Sequence, residues 1–181
     1  MLNDEQIAVR ENKITNSAQS LLETMETMLL WSKGQMEQFK PSIKEVSEND
    51  LFDYLQRFFK DTESVIFTFE GAGNLIVKTD QYYLQTIMHN LTANAIKALQ
   101  KIPDAKIEWR AWQENDKLFL SVIDNGPGVK AEHLKALYDE TAESGAKQGL
   151  GLHIIRDLAK AIHCSVTLQP KTSGTQFVLS I

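Results

Sequence analysis

The sequence lacks the features of an extracellular or membrane-spanning protein. It has one cysteine, Cys164, among 181 residues, so no disulfide can form within the chain. No apolar run approaches the ~20 residues that cross a bilayer, and the first residues do not have the pattern of a signal peptide. No cysteines and histidines have metal-ligand spacing, which argues against a structural zinc site. We therefore expect a cytoplasmic chain that makes no membrane contact itself.

Positive charge is also scarce. The chain has 19 lysines and arginines against 24 acidic residues, which gives a net charge of -5. Because a phosphate backbone requires a basic surface, the sequence argues against nucleic acid as a partner. Apolar residues make up 43% and charged residues 24% of the chain, as in an ordinary globular domain. The length allows one such domain and an appendage.

Proline is absent from residues 4–39, and glycine occurs there only at position 34. In the same stretch apolar residues recur every seven positions, at Ile7, Ile14, Leu21 and Met28. This spacing predicts a long helix over residues 1–40 that packs on other helices, or else folds back on its own domain. Pro41 ends the helix. Residues 41–47 are predicted to be a linker and residues 48–181 a separate domain.

From Ser47 onwards the pattern changes to a mixture of helices and strands. Ser47 and Asp80 are predicted to cap helices, and a third helix is predicted over residues 150–162. Alternating or β-branched runs predict strands at residues 64–70, 74–78, 105–113, 117–124, 165–169 and 175–181. Residues 71–73 are predicted to turn the first strand into the second. The fold class is therefore α/β, as a two-layer α+β sandwich with a sheet covered by three helices.

The helix after Asp80 carries two asparagines and a lysine on one side. Asn90, Asn94 and Lys97 fall at positions i, i+4 and i+7. An amide oxygen suits Mg²⁺, which binds oxygen ligands together with phosphates, and a lysine attracts the same phosphates. A plain solvated helix face is the alternative, and the helix taken alone favours that simpler explanation.

Asp124 stands where an apolar strand ends, followed by Gly126 and Gly128. A carboxylate held beside the core needs a hydrogen-bond donor, such as the exocyclic amine of a purine, and glycines let a flat ring approach the backbone. A simple turn is the alternative, but the polar segment that follows returns no partner strand. We predict a lid over about residues 129–148.

Two further glycine motifs are weak signals alone. Gly149 and Gly151 open a helix, where backbone N–H groups can face an anion. Neither a P-loop nor a dinucleotide fingerprint is present, since no Gly-Lys-Ser/Thr follows and the third glycine is missing. Thr175 follows Gly174 just before the last strand.

Taken in order, these motifs resemble the Bergerat ATP-binding fold of the GHKL superfamily, and within it the catalytic domain of sensor histidine kinases. The resemblance covers about residues 47–181 and implies a mixed sheet, with ATP and Mg²⁺ as cofactors. It implies that Asn94 binds the Mg²⁺ that bridges the phosphates, that Lys97 contacts phosphate, and that Asp124 binds the adenine amine. The other nucleotide-binding residues it implies are Asn90, Gly126, Gly128, Gly149, Leu150, Gly151, Leu152 and Thr175.

One position separates branches of this superfamily. Members that hydrolyse ATP have a glutamate four residues before the Mg²⁺ asparagine, where this chain has Asn90. A neutral amide is not a useful general base. Asn90 therefore favours phosphoryl transfer to a protein acceptor over hydrolysis.

The N-terminal helix resembles the second helix of the kinase dimerisation and phosphoacceptor hairpin. None of the histidines has the acceptor context, so we expect no phosphoacceptor in the chain; they are His89, His133, His153 and His163. The resemblance implies an ATP-dependent protein-histidine kinase whose partners are the missing acceptor helix, the receiver domain of a response regulator and, in the full-length protein, a second copy. It implies a cytoplasmic protein or the cytoplasmic part of a membrane-bound sensor. The alternatives are an ATP-sensing interaction module without catalysis and a serine kinase of the anti-sigma-factor type.

Overall fold

A computed structural model of the chain describes residues 40–129, 151–169 and 173–181, together with Met25, Leu137, Tyr138 and Lys171. The chain divides into two compact units, Met1–Lys40 and Pro41–Ile181. Met25 is helical, but the rest of the predicted N-terminal helix lies outside the described residues, as does nearly all of the predicted lid. The fold presented below is that of the second unit.

Three helices and seven strands of this unit have described bounds, and Leu137 and Tyr138 are helical as well. In chain order they are β1 (Lys44–Ser47), α1 (Glu48–Phe58), β2 (Ile66–Glu70), β3 (Ile76–Thr79), α2 (Gln81–Leu99), β4 (Lys106–Glu114), β5 (Lys117–Asp124), α3 (Gly151–Ala161), β6 (Ser165–Leu168) and β7 (Thr175–Ser180). The three predicted helices and six predicted strands are confirmed close to their predicted bounds. No helix in the described ranges is long and apolar enough to cross a bilayer.

Polar side chains set where the first two helices begin. The Ser47 hydroxyl accepts a hydrogen bond from the Asp50 N–H at 3.1 Å, and Asp80 Oδ1 accepts one from the Tyr83 N–H at 2.9 Å. Both contacts satisfy backbone donors that a helix leaves without a partner in its first turn. Asp80 and Ser47 are therefore the caps that the sequence predicts.

Five strands form a mixed sheet in the order β2-β4-β5-β7-β6. β2 runs parallel to β4, and the other neighbours are antiparallel. The helices cover one face, where the largest fully buried side chains include Leu84, Ile87 and Met88 of α2, Ile154, Ile155 and Leu158 of α3, and Ile107, Trp109, Leu120 and Leu179 of the sheet. This two-layer arrangement confirms the predicted fold class and brings the ends of β5 and β7 beside α2.

The start of the unit differs from the prediction in two ways. Residues 41–47 are not only a linker, because β1 forms there and pairs with β3 in a separate two-stranded antiparallel sheet. Residues 71–73 therefore do not join neighbouring strands, since β2 lies in the five-stranded sheet. Beside these strands, Glu48 is a buried residue whose Oε2 accepts a hydrogen bond from the Gly73 N–H at 3.0 Å. A Cβ on Gly71 would overlap Glu48 Oε1, so the loop is held against the start of α1.

Candidate functional site

Two asparagines of α2 meet the first residue of α3. Asn90 Nδ2 donates a hydrogen bond to the Thr86 carbonyl at 2.8 Å. A Cβ built on Gly151 would lie 3.1 Å from Asn90 Oδ1 and 4.0 Å from Asn94 Nδ2. A side chain at position 151 would be tightly packed against Asn90 and in ordinary contact with Asn94. We call Asn90, Asn94 and Gly151 the amide end of the site.

The amide end is open to solvent and suits an anion with a hard cation. Asn94 and Lys97 are exposed, and Asn90 is half-buried. The N-terminus of a helix carries partial positive charge and favours phosphate. No group of three or more histidine, cysteine or carboxylate side chains in the described residues could hold a metal. An amide oxygen surrounded by solvent fits Mg²⁺, which keeps several of its waters, better than it fits zinc.

Asp124 lies at the other end of the site, where β5 stops. Its side chain is buried, with 7% of the residue exposed, and its Oδ1 accepts a hydrogen bond from the Gly126 N–H at 2.8 Å. Asp124 stands directly opposite Thr175 in the β5–β7 ladder, and Thr175 is also buried. The carboxylate and the hydroxyl thus belong to neighbouring strands and to the same face of the sheet.

Two loops close around this pair. Gly174 has φ of 80°, and a Cβ on it would overlap the Asp124 carbonyl oxygen. A Cβ on Gly128 would lie 3.5 Å from the Gly174 carbonyl oxygen, and one on Gly126 would lie 3.4 Å from Leu99 Cδ2. The loop after β5 therefore packs on the loop before β7 and on the last turn of α2. We call Asp124, Gly126, Gly128, Gly174 and Thr175 the carboxylate end of the site.

Helix α2 connects the two ends. Asn94 belongs to the amide end, and Ala98, one turn later, has its Cβ 3.8 Å from the Cβ position of Gly126 at the carboxylate end. One turn of helix advances about 5.4 Å along the axis. A ligand lying along α2 could therefore reach the amides with one part and the carboxylate with another. Lys97 lies on the same stretch of helix.

His89 precedes Asn90 on α2 and packs against the end of α1. Its ring packs edge-on against Phe58, with centroids 4.3 Å apart, and stacks on Phe59 at 5.2 Å. Burial, and secondly the charge of Lys97, lowers the pKa of His89 from 6.5 to about 4. Its Nδ1 is buried and has no hydrogen-bond partner within the described part of the chain. His89 is therefore neutral at neutral pH and acts as a packing residue between α1 and α2.

Asn125 is a site residue that the sequence did not single out beyond its turn-forming dipeptide with Gly126. Its Oδ1 accepts a hydrogen bond from the Lys106 N–H at 2.8 Å, and its Nδ2 donates one to the Asp104 carbonyl at 3.0 Å. The side chain thus fastens the loop that carries Asp124 to the start of β4. An asparagine directly after a strand is a weak signal for such a contact, because its partners are not visible in the sequence.

The structure brings together most of the predicted site residues. The amide end contains Asn90, Asn94 and Gly151, with Lys97 beside it, and the carboxylate end contains Asp124, Gly126, Gly128 and Thr175. Leu152 is the half-buried second residue of α3. Gly149 and Leu150 lie outside the described residues, and their part in the site stays a prediction.

The sequence of the chain matches a known family and several curated proteins. Residues 79–181 match the family model described as histidine kinase-, DNA gyrase B-, and HSP90-like ATPase. The sensor protein RprX of Bacteroides fragilis is 27% identical over 118 residues, which are 61% of this chain and 23% of that protein. The chain spans about a quarter of the length of RprX and of similar curated sensor proteins.

Solved structures share the fold. The histidine kinase AdeS of Acinetobacter baumannii aligns with a TM-score of 0.73 and 18% identity, covering 100% of this chain and 86% of that one. The histidine kinase ThkA, solved in complex with the response regulator protein TrrA, aligns with a TM-score of 0.70 and 22% identity, covering 100% of this chain and 52% of that one. At these identities the match concerns the fold alone.

Proposed function

The chain belongs to the family of histidine kinase-, DNA gyrase B- and HSP90-like ATPases, and we propose that it is the ATP-binding catalytic part of a two-component sensor histidine kinase. The family predicted from the four sequence motifs is thereby confirmed. In the proposed reaction the γ-phosphoryl group of ATP passes to a histidine nitrogen of an acceptor helix. It then passes to an aspartate in the receiver domain of a response regulator.

The observation that carries this proposal is the placement of both ends of the site along α2. Asn94 is exposed at the amide end, where Gly151 brings the start of α3 to the two amides. Asp124 is buried at the carboxylate end, which contacts α2 at Ala98, one turn after Asn94. A nucleotide with its base at Asp124 and its phosphates beside Asn94 matches this order of chemical groups.

The amide end would hold the triphosphate. Asn94 is the residue we assign to Mg²⁺, which neutralises phosphate charge when bound, and Asn90 and Lys97 are assigned to the phosphates. Phosphoryl transfer depends mainly on positioning and charge stabilisation. An amide, a lysine and a helix N-terminus can supply both. Asn90 cannot activate water as a glutamate could, so transfer to a protein is favoured over hydrolysis.

The carboxylate end would select the base. Asp124 Oδ1 already accepts from Gly126, and we assign Oδ2 to the exocyclic amine of adenine. Guanine presents a carbonyl oxygen at the corresponding position, and two acceptors facing each other are unfavourable. The site should therefore prefer ATP to GTP. Thr175, opposite Asp124, lies where it can assist in holding the base.

The proposed partners follow from the same assignment. They are the acceptor helix, a response-regulator receiver domain and a second copy in the full-length kinase. The complex of ThkA with TrrA, which shares this fold, supports the receiver domain as a partner. The main competing function is an ATP-sensing interaction module that binds ATP without transferring phosphate.

Two measurements on the full chain test the proposal. Isothermal titration calorimetry with ATP and GTP, each with Mg²⁺ and with a chelator, should show tighter binding of ATP and a gain on adding Mg²⁺. Radiolabelled ATP should then transfer acid-labile phosphate to a separately prepared acceptor helix pair, with the acceptor histidine replaced by glutamine as a control. Absence of ATP binding would overturn the proposal, and ATP binding without transfer would favour the sensing module.

A further inference from the structure

A buried hydrogen bond joins α2 to the centre of the sheet. The Trp109 Nε1–H of β4 donates to Thr92 Oγ1 of α2 at 3.1 Å. The same hydroxyl donates to the Met88 carbonyl at 2.8 Å. Both side chains are fully buried, with 0% of each residue exposed. The Thr92 hydroxyl therefore acts as donor and acceptor at once, in a setting that excludes water.

Thr92 lies midway between the two asparagines of the amide end. Asn90 precedes it by two residues and Asn94 follows it by two, so each amide is rotated about 200° from the hydroxyl around the helix axis. Thr92 faces the sheet while the amides face away from it. Any rotation of α2 about its axis would move both amides together, relative to Gly151 and the start of α3.

The other sheet-facing side chains of α2 do not fix this rotation as strictly. They are apolar, including Leu84, Ile87, Met88, Leu91, Ala95 and Leu99. Apolar packing tolerates small rearrangements and loses uniqueness before it loses stability. A hydrogen bond is directional, and in a buried setting an unmade one is costly. A Cβ built on Gly151 would lie 3.1 Å from Asn90 Oδ1, so the start of α3 lies beside this amide, and a rotation of α2 would change the distance between them.

We propose that Thr92 and Trp109 are positioning residues for the magnesium and phosphate end of the site. Their hydrogen bond holds the rotation of α2 at which Asn90 and Asn94 both face the start of α3. Neither residue contacts the ligand in this account. The inference rests on the proposed function, because it concerns the amides that would bind Mg²⁺ and phosphate.

A pair of substitutions at position 92 separates hydrogen bonding from packing. Thr92→Val keeps the shape and removes the hydroxyl, whereas Thr92→Ser keeps the hydroxyl and removes a methyl group. The readout is the gain in ATP affinity on adding Mg²⁺, measured by calorimetry on the folded full chain. Thr92→Val should reduce that gain about fivefold, the size expected for one net hydrogen bond. Thr92→Ser should keep it, and ADP binding in chelator should change in neither.

Two further variants keep the test decisive. Trp109→Phe removes the hydrogen-bond donor on the sheet side and should reproduce the effect of Thr92→Val. It also replaces Thr92→Val as the test variant if Thr92→Val folds poorly. Thr79→Val is a matched control, because Thr79 Oγ1 is also buried but has no hydrogen-bond partner among the residues that the structure describes. It should leave the gain unchanged.

The failures of the two proposals are distinguishable. If the parent gains affinity with Mg²⁺ and Thr92→Val gains equally, the positioning role is overturned while the proposed function stands. If Thr92→Ser lost the gain in ATP affinity on adding Mg²⁺, the effect would belong to the methyl group, and the positioning role would also be overturned. If the parent shows no gain with Mg²⁺, both proposals fall.

Discussion

The two ends of the site are built in opposite ways. At the carboxylate end Asp124 and Thr175 are buried, one carboxylate oxygen is already hydrogen-bonded, and Gly174 leaves no room for a methyl group. At the amide end Asn94 and Lys97 are exposed. Both ends touch the same helix, so the difference does not come from the helix itself.

The contrast indicates a division of work. A planar base keeps one shape and one hydrogen-bonding pattern, so a rigid, pre-formed contact recognises it at little entropic cost. A triphosphate with a hydrated cation changes charge and geometry during transfer, and an exposed amide with solvent around it can adapt to both states. Substitutions that add a side-chain atom at the packed glycines of the carboxylate end should therefore affect folding as well as binding, whereas truncation of the exposed side chains at the amide end should affect binding alone.

The largest effect is expected for Gly174→Ala. The residue has φ of 80°, and the new Cβ would overlap the Asp124 carbonyl. Positive φ alone costs about 1–2 kcal/mol, and the overlap forces a backbone shift worth about 1–3 kcal/mol more. Chemical denaturation should therefore show a loss of about 3 kcal/mol or more.

Gly73→Ala is the matched control for this prediction. Gly73 has φ of 74°, but its Cβ position meets only Asn49 Oδ1, at 4.0 Å. It should lose about 1–2 kcal/mol, the cost of the positive φ by itself. Equal losses in the two variants would show that the carboxylate end is less rigid than we describe.

A similarly large effect is expected from acid pH, through His89. Its pKa falls from 6.5 to about 4 on folding, so below pH 6.5 the unfolded chain binds a proton that the folded chain does not. Stability should be unaffected above that pH and should fall as the pH drops towards 4, by about 3 kcal/mol in total. The unfolding free energy of the parent and of His89→Phe, compared between pH 4 and pH 8, isolates this contribution.

Two results would decide the His89 prediction. His89→Phe cannot be protonated and should lose less stability at acid pH than the parent, while His163→Asn, a change at an exposed residue with φ of 55°, should follow the parent. Parallel curves for the parent and His89→Phe would show that the imidazole is not kept neutral by its aromatic neighbours.

Much of the fold could be predicted because it is encoded locally. Apolar periodicity gave the elements, and the caps at Ser47 and Asp80 depend on backbone groups three residues away. The pairing of β3 with β1 could not be predicted, because it joins strands about 30 residues apart in the chain, and the Glu48–Gly73 hydrogen bond beside it also spans 25 residues.

The site also has residues that could be proposed from the sequence and residues that could not. Asp124 and Asn94 belong to motifs with recognisable spacing, so they could be proposed as site residues from the sequence, and their roles stay predictions. Asn125 and Thr92 were not assigned any role in the site, because their partners lie 17 to 21 residues away on β4 and on the turn before it. Side chains that touch a ligand can be recognised by type, whereas those that hold other residues in place need the tertiary structure.

A smaller effect, on binding only, is expected for Asn94→Ala. The side chain is exposed, so the unfolding free energy should change by less than about 0.5 kcal/mol. The affinity for ATP with Mg²⁺ should fall roughly 10- to 100-fold, as for loss of a polar contact to a charged group. Asn74→Ala, at another exposed asparagine, should bind as the parent does. A large loss of stability in Asn94→Ala would contradict the division between the two ends.

The smallest effect is expected for Asp124→Asn. This variant tests most directly whether the carboxylate end recognises the base. The amide oxygen of asparagine can still accept from the Gly126 N–H, so the fold should be kept. Its NH₂ group then faces the adenine amine, and ATP affinity should fall about tenfold. The same NH₂ can donate to the carbonyl oxygen of guanine, so GTP should bind no worse than before. Calorimetry with both nucleotides measures this shift, with Asp116→Asn in the β4–β5 turn as a control of equal charge change. If ATP and GTP weakened equally, Asp124 would be a structural residue of the loop and not the group that reads the base.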